Sequence, residues 1–329
     1  MEYRKLGRTN LSVAELCLGS MQFGWTANED ASFAVMDAYV AAGGNFIDTA
    51  DVYTWWGEKG TAGLGESEEI IGRWLQARGG RDSMVIATKL GGPMHDGPDD
   101  KGLSRERVIK CCEASLRRLQ VDHIDLYQCH WTDLSTPIEE TLAAMGELVK
   151  AGKVRHVGAS NYPAWRLAEA LWQADKLGLP RFETYQPQYS LMETGLFELE
   201  PMALCKHHEL GVIPYSPLAC GFLTGKYRRD GAAPSARSHE VVKNYAHERG
   251  YAIIDALEEI GAGHGKSIAA TAIAWLLSNP VVTSPIIGAN SVAQLDTLLE
   301  AVGYRLSAEE MSRLNSMTTC YRNHRLIWD

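Results

Sequence analysis

One pattern narrows the fold of these 329 residues more than any other: a short apolar run ends at a polar residue, a helical pattern follows, and the unit repeats eight times. The runs lie at 15–19, 45–48, 84–88, 123–129, 154–159, 182–186, 212–215 and 284–287. Helices are predicted at 29–42, 67–77, 104–119, 137–150, 164–177, near 198–209, from 245 to 278 and at 291–302, with an irregular tail after the last. Pro137 is placed at a first helical position. A polar insertion at 226–243 precedes the seventh helical region, and residues 2–5 and 11–13 flank a Gly7-Arg8-Thr9-Asn10 turn, which predicts a hairpin. Eight such units without a break in composition imply one (β/α)8 barrel over 1–329, carrying an N-terminal β-hairpin. A doubly wound dinucleotide fold would need G-x-G-x-x-G after its first strand. Gly63-Leu64-Gly65 and Gly261–Gly265 lack that spacing, and Tyr227 follows Gly221–Lys226 where a phosphate loop needs Ser or Thr.

Composition removes several function classes. A formal charge of −9 argues against a broad nucleic-acid surface, while leaving room for a local basic site for one phosphorylated small molecule. No stretch approaches ~18 uninterrupted apolar residues, so no membrane span is expected. Seven scattered cysteines form no C-x-x-C pair, which disfavours a disulfide framework and a zinc site; a cytoplasmic protein is expected.

In a barrel of this kind, residues just past the strands converge on one face. Asp48 and Tyr53 follow the second strand, Lys89 the third and His130 the fourth. Taken singly, each has a plain structural reading: Asp48 as a helix cap, Tyr53 as packing, Lys89 as a snorkelling surface lysine, His130 as a cap or core residue. Together they form a chemical set. A lysine beside a phenol favours the phenolate and makes its proton easier to give. An aspartate holds the lysine charged, and a histidine hydrogen-bonds the same carbonyl oxygen. Such a set polarises an aldehyde or ketone while a reduced nicotinamide brings hydride.

Asp48-Thr-Ala-x-x-Tyr53, Thr88-Lys89 and Leu126-Tyr127-Gln128-x-His130 resemble the motifs of the aldo-keto reductases, over nearly the whole chain from Tyr3 to about Val302. The resemblance implies a reductase of small carbonyl compounds, with Tyr53 as general acid/base assisted by Lys89, Asp48 and His130. It implies a nicotinamide carboxamide held by Ser160, Asn161 and Gln186, with the ring stacked on Tyr215. Turn chemistry at strand ends explains those three polar residues one at a time. Ser216, Leu218, Cys220, and Gly221 to Lys226 resemble the pyrophosphate segment, and Ser20 and Met21 join the expected cofactor set. Gly288, Asn290 and Gln294 match the adenosine end. There the family often carries Arg or Lys and later Glu-Asn, whereas this chain has Asn290, Ser291, Gln294, Thr297 and Leu298; Arg237 is the candidate charge for a 2′-phosphate. NADPH is the expected cofactor, with NADH left open.

Trp55, Trp56 and Trp131 are candidates to wall a substrate pocket for an apolar or sugar-like carbonyl, with core packing as the alternative. The loop at 91–102 (His95, Asp96, Asp99, Asp100) and the tail (Tyr321, Arg322, Arg325) are candidates to lean over it. Local similarity around Pro217–Gly221 and Thr224–Tyr227 is to the branch containing potassium-channel beta subunits, which implies an alternative, a cofactor-sensing regulatory subunit. A metal-dependent hydrolase using Asp48, Asp51 and His130 lacks clustered ligands. Both a monomer and a homo-oligomer fit the sequence.

Overall fold

The computed structural model describes residues 1–55, 63–93, 101–229, 231–232 and 238–318. A hairpin of β1 (Tyr3–Lys5) and β2 (Ser12–Ala14) comes first. Then follow β3 (Cys17–Gly19), α1 (Glu29–Ala41), β4 (Phe46–Asp48), α2 (Glu66–Arg78), β5 (Val85–Leu90), α3 (Arg105–Leu119), β6 (Ile124–Cys129), α4 (Ile138–Lys150), β7 (Val154–Ser160), α5 (Ala164–Leu177) and β8 (Phe182–Gln186). The second half contains α6 (Gly195–Glu198), α7 (Pro201–His207), β9 (Gly211–Val212), a small antiparallel pair β10 (Tyr227–Arg228) and β11 (Gly231–Ala232), α8 (Ser238–Tyr245), α9 (Glu248–His264), α10 (Ile268–Leu277), β12 (Ile286–Ile287), α11 (Val292–Leu299) and α12 (Ala308–Thr318).

Eight parallel strands pair in the order β12-β3-β4-β5-β6-β7-β8-β9. The ring closes between its ends, where Val212 bridges Val282 and Ile286 N–H donates to Pro214 O at 2.8 Å. This is the (β/α)8 barrel. Strand pleating then decides which residues face the interior. Phe46, Val85, Ala87 and Leu126 point inward, where they pack with Leu6, Leu11 and Val13 of the hairpin to floor the barrel. Ile47, Ile86 and Tyr127 point outward into the larger core shared with the helices. Continuing the same alternation brings Asp48, Lys89, Gln128 and His130 to the interior, at the C-terminal end of their strands.

Several elements differ from expectation, each for a local reason. The helix near 198–209 is two, because Pro201 disfavours helical geometry at Glu200 (φ −136°, ψ −47°) and starts α7 afresh. The helical region 245–278 breaks at Gly265, which adopts φ +64°, and Ser267 caps the second part by accepting from Ala270 N–H. Pro137 lies one residue earlier than expected, at the N-cap of α4. The tail is not irregular throughout, since α12 opens with a reciprocal cap in which Ser307 N–H donates to Glu310 Oε2 and Glu310 N–H to Ser307 Oγ. Among the described residues, no helix is long and apolar enough to cross a membrane.

Candidate active site

Where β4, β5 and β6 end, the interior turns from apolar to polar. Lys89 is fully buried, so the snorkelling reading fails. Its ammonium donates to Asp48 Oδ1 at 2.6 Å, Thr49 O at 2.7 Å and the Tyr53 hydroxyl at 3.0 Å, which uses all three of its protons. Asp48 is likewise no helix cap: Oδ2 accepts from Gln186 Nε2 at 2.9 Å and Gln128 Nε2 at 3.3 Å. A buried ion pair holds only when its remaining lone pairs are satisfied in this way. Burial opposes the charge on Lys89, but Asp48 and Tyr53 outweigh it and hold the ammonium above its usual range.

The phenol does not become more acidic. Burial, the largest cause, raises the Tyr53 pKa above its ordinary value; Lys89 pulls it down, and the negative charge of Asp48 pushes back. Lys89 therefore acts in the expected direction, but burial outweighs it. His130 is driven well below its ordinary pKa, first by burial and then by Lys89, and is therefore a neutral imidazole. Its ring stands edge-on to Tyr53 with centroids 5.9 Å apart, and Trp131 stacks on it at 3.7 Å and 17°.

These side chains form one end of a cavity of about 660 Å³. Asp48, Tyr53, His130, Trp131, Asn161, Gln186, Tyr215, Ser216, Leu218, Cys220, Gly221, Lys226, Gly288, Asn290 and Gln294 line it, together with Ser20 and Met21. Asn161 is fixed by three bonds: its amide donates to His130 O and Ser160 Oγ, and its Oδ1 accepts from the Tyr215 hydroxyl at 2.8 Å. Ser160 is buried behind the lining, its hydroxyl committed to Gln186 O at 2.9 Å. Of the three, Asn161 and Gln186 line the cavity. At the other end Lys226 approaches Gly221 so closely that a Cβ there would meet Nζ at 3.3 Å, and the chain through Ser216, Ala219 and Cys220 runs at positive φ.

Trp55 is half exposed and does not line the cavity. Trp56, Arg237, the loop residues His95, Asp96, Asp99 and Asp100, and the tail residues Tyr321, Arg322 and Arg325 lie outside the described residues. Gln22, Trp25, Thr26 and Val52 line the cavity and were not singled out in the sequence. Trp25 and Thr26 sit in the loop after the first barrel strand, which the rule of converging strand ends covers as fully as it covers the second, third and fourth. Gln22 Nε2 donates to Ala289 O at 3.0 Å and Thr26 Oγ1 to Asn290 Oδ1 at 2.7 Å, tying the loops after β3 and β12 together. Among the described residues, no group of three or more His, Cys, Asp or Glu could hold a metal ion.

A closed parallel barrel thus carries a Tyr–Lys–Asp chain and a neutral histidine at its mouth, and its class is that of an oxidoreductase. The Aldo/keto reductase family model matches residues 15–319, and the chain belongs to that family. It is 39% identical over 324 residues to an uncharacterized oxidoreductase, YrpG, of Bacillus subtilis (strain 168), covering 96% of each chain. It is 36% identical to a probable voltage-gated potassium channel subunit beta of Arabidopsis thaliana, covering 92% of this chain and 91% of the other. It is 34% identical to the norsolorinic acid reductase stcV of Emericella nidulans (strain FGSC A4 / ATCC 38163 / CBS 112.46 / NRRL 194 / M139), covering 92% and 77% respectively.

Proposed function

We propose that this protein reduces a small aldehyde or ketone to the alcohol with NADPH, and that Tyr53 is the general acid. The observation that carries the reading is the hydrogen-bonded line Tyr53–Lys89–Asp48, which ends at the cavity beside a neutral His130. Burial keeps the Tyr53 phenol protonated across the neutral range, so a proton is available to the carbonyl oxygen. As that proton leaves, Lys89 at 3.0 Å stabilises the phenolate, and Asp48 keeps the ammonium aimed. His130, having no charge to lose, donates an N–H to the same oxygen and fixes the carbonyl plane. Asn161, Gln186 and the Tyr215 ring would hold a nicotinamide; Ser216, Leu218, Gly221 and Lys226 its pyrophosphate; and Gly288, Asn290 and Gln294 its adenosine. A reduced nicotinamide bound there supplies the hydride to the carbonyl carbon.

Tyr53→Phe should lower kcat by roughly 10²- to 10⁴-fold while NADPH binding, read by tryptophan quenching, is kept. Turnover at the original rate in that variant overturns the assignment. The similarity to a potassium channel subunit beta favours a second reading, a cofactor-sensing subunit with little turnover. Tight NADPH binding without oxidation by a panel of aryl and aliphatic aldehydes would select it.

A further inference from the structure

Behind the cavity, Arg107 of α3 is buried. Its Nη2 donates to Gly92 O at 2.7 Å, in the loop after β5, while Asp51 lies within electrostatic range. Gly92 has no room for a side chain. A Cβ there would meet Trp131 Cζ3 at 2.7 Å and Val52 Cβ at 3.3 Å, so the glycine backbone is the shelf on which the indole rests. The same indole stacks on the His130 ring, with centroids 3.7 Å apart. Among the described residues the imidazole Nδ1 is buried without a hydrogen-bond partner, so no bond at that nitrogen orients the ring. Metal-site and triad histidines are commonly fixed by a hydrogen bond at the second nitrogen; here packing takes that place.

We propose that Arg107 is a positioning residue for His130: by anchoring the Gly92 carbonyl it sets the shelf that holds Trp131 flat against the imidazole. The proposal rests on the reading that His130 orients a carbonyl substrate. The test measures kcat, the KM for 4-nitrobenzaldehyde and NADPH affinity in Arg107→Met, Gly92→Ala and the double variant. Each single change should lower kcat roughly tenfold, as expected when a reacting group is displaced by a fraction of an ångström, with NADPH affinity within about twofold of the parent. The double variant should be no worse than the more damaging single one, because both act through one ring. If Arg107→Met does not fold, Gly92→Ala carries the same split between kcat and cofactor affinity. Unchanged kcat in the folded single variants, or losses that multiply in the double, overturns the proposal. Full turnover in Tyr53→Phe overturns the functional reading and this proposal with it. An inactive Tyr53→Phe beside an undiminished Arg107→Met and Gly92→Ala overturns the positioning role alone.

Discussion

Asp48, at the end of β4, and Asp51, in the loop that follows, are three residues apart, equally buried, and differ in almost everything else. Asp48 meets an ammonium and two carboxamides. Neither oxygen of Asp51 makes a well-aligned hydrogen bond. Burial is the main reason its pKa rises to about 7; Glu68 adds to the rise, while Arg118, Arg107 and the Val52 N–H offset part of it. The nearby Glu68 has already taken the better partners, accepting from Thr88 Oγ1 at 2.5 Å and Arg118 Nε at 2.7 Å. Pleating explains the division. Asp48 and Lys89 fall on the interior side of adjacent strands, whereas Thr88 faces outward to α2. Burial alone therefore does not separate the two carboxylates; what separates them is an interior partner, Lys89, that also touches the Tyr53 hydroxyl.

The sharpest way to break the contrast is Lys89→Met, which strips Asp48 of its cation and leaves it only the Gln186 and Gln128 carboxamides. It should cost about 3–5 kcal/mol of stability in denaturant unfolding, the usual penalty for stranding one member of a buried pair, and should abolish turnover. A wild-type-like midpoint would show that the pair is not what holds the strand ends together.

Asp51→Asn tests the other side and should act in the opposite direction. The folded pKa lies above the unfolded value near 3.8, so the folded chain binds the extra proton. Stability then falls as pH rises from about 4 to about 7, and the full cost is present above that range. The asparagine variant should gain on the order of 2–4 kcal/mol at pH 8.5 and nothing at pH 3.5, read by urea unfolding at both. An equal effect at the two values would mean that the carboxylate finds a partner in solution. Reduction itself should hold steady through neutral pH and decline only at alkaline pH, where Tyr53 loses its proton, since both burial and Asp48 raise that pKa. A decline centred below pH 7 would contradict the environment described. The smallest effect is expected for Trp55→Ala, which alters a half-exposed ring off the cavity and should change kcat/KM by less than about twofold.

Strand ends and motif spacing made the barrel and the Asp48–Tyr53–Lys89–His130 constellation legible in the sequence, because a parallel barrel has one place to put such residues. What was not legible depended on magnitudes or on which hydroxyl was already taken. Nothing in the order of residues says that burial outweighs Lys89 at Tyr53, or that the Ser160 hydroxyl is spent on Gln186 O. Thr26 and Gln22 carry no chemistry of their own and gain meaning only from Asn290 and Ala289, more than 260 positions away. By contrast α12, expected as irregular tail, carried a signal that was passed over, since Ser307-x-x-Glu310 is a capping box.

The closure between β9 and β12 has a consequence for biogenesis. Residues near the start of the chain also bond to residues near its end: Arg4 donates to Val282 O and Leu277 O, and Ser284 Oγ to Ala14 O. During translation the growing sheet therefore keeps two bare edges until residues 282–287 leave the ribosome. At ordinary elongation speeds β3 waits on the order of tens of seconds for its second neighbour. Open parallel edges of that kind invite pairing with other nascent chains, so the interval before ring closure is the period in which this barrel is most exposed to aggregation and most dependent on chaperones.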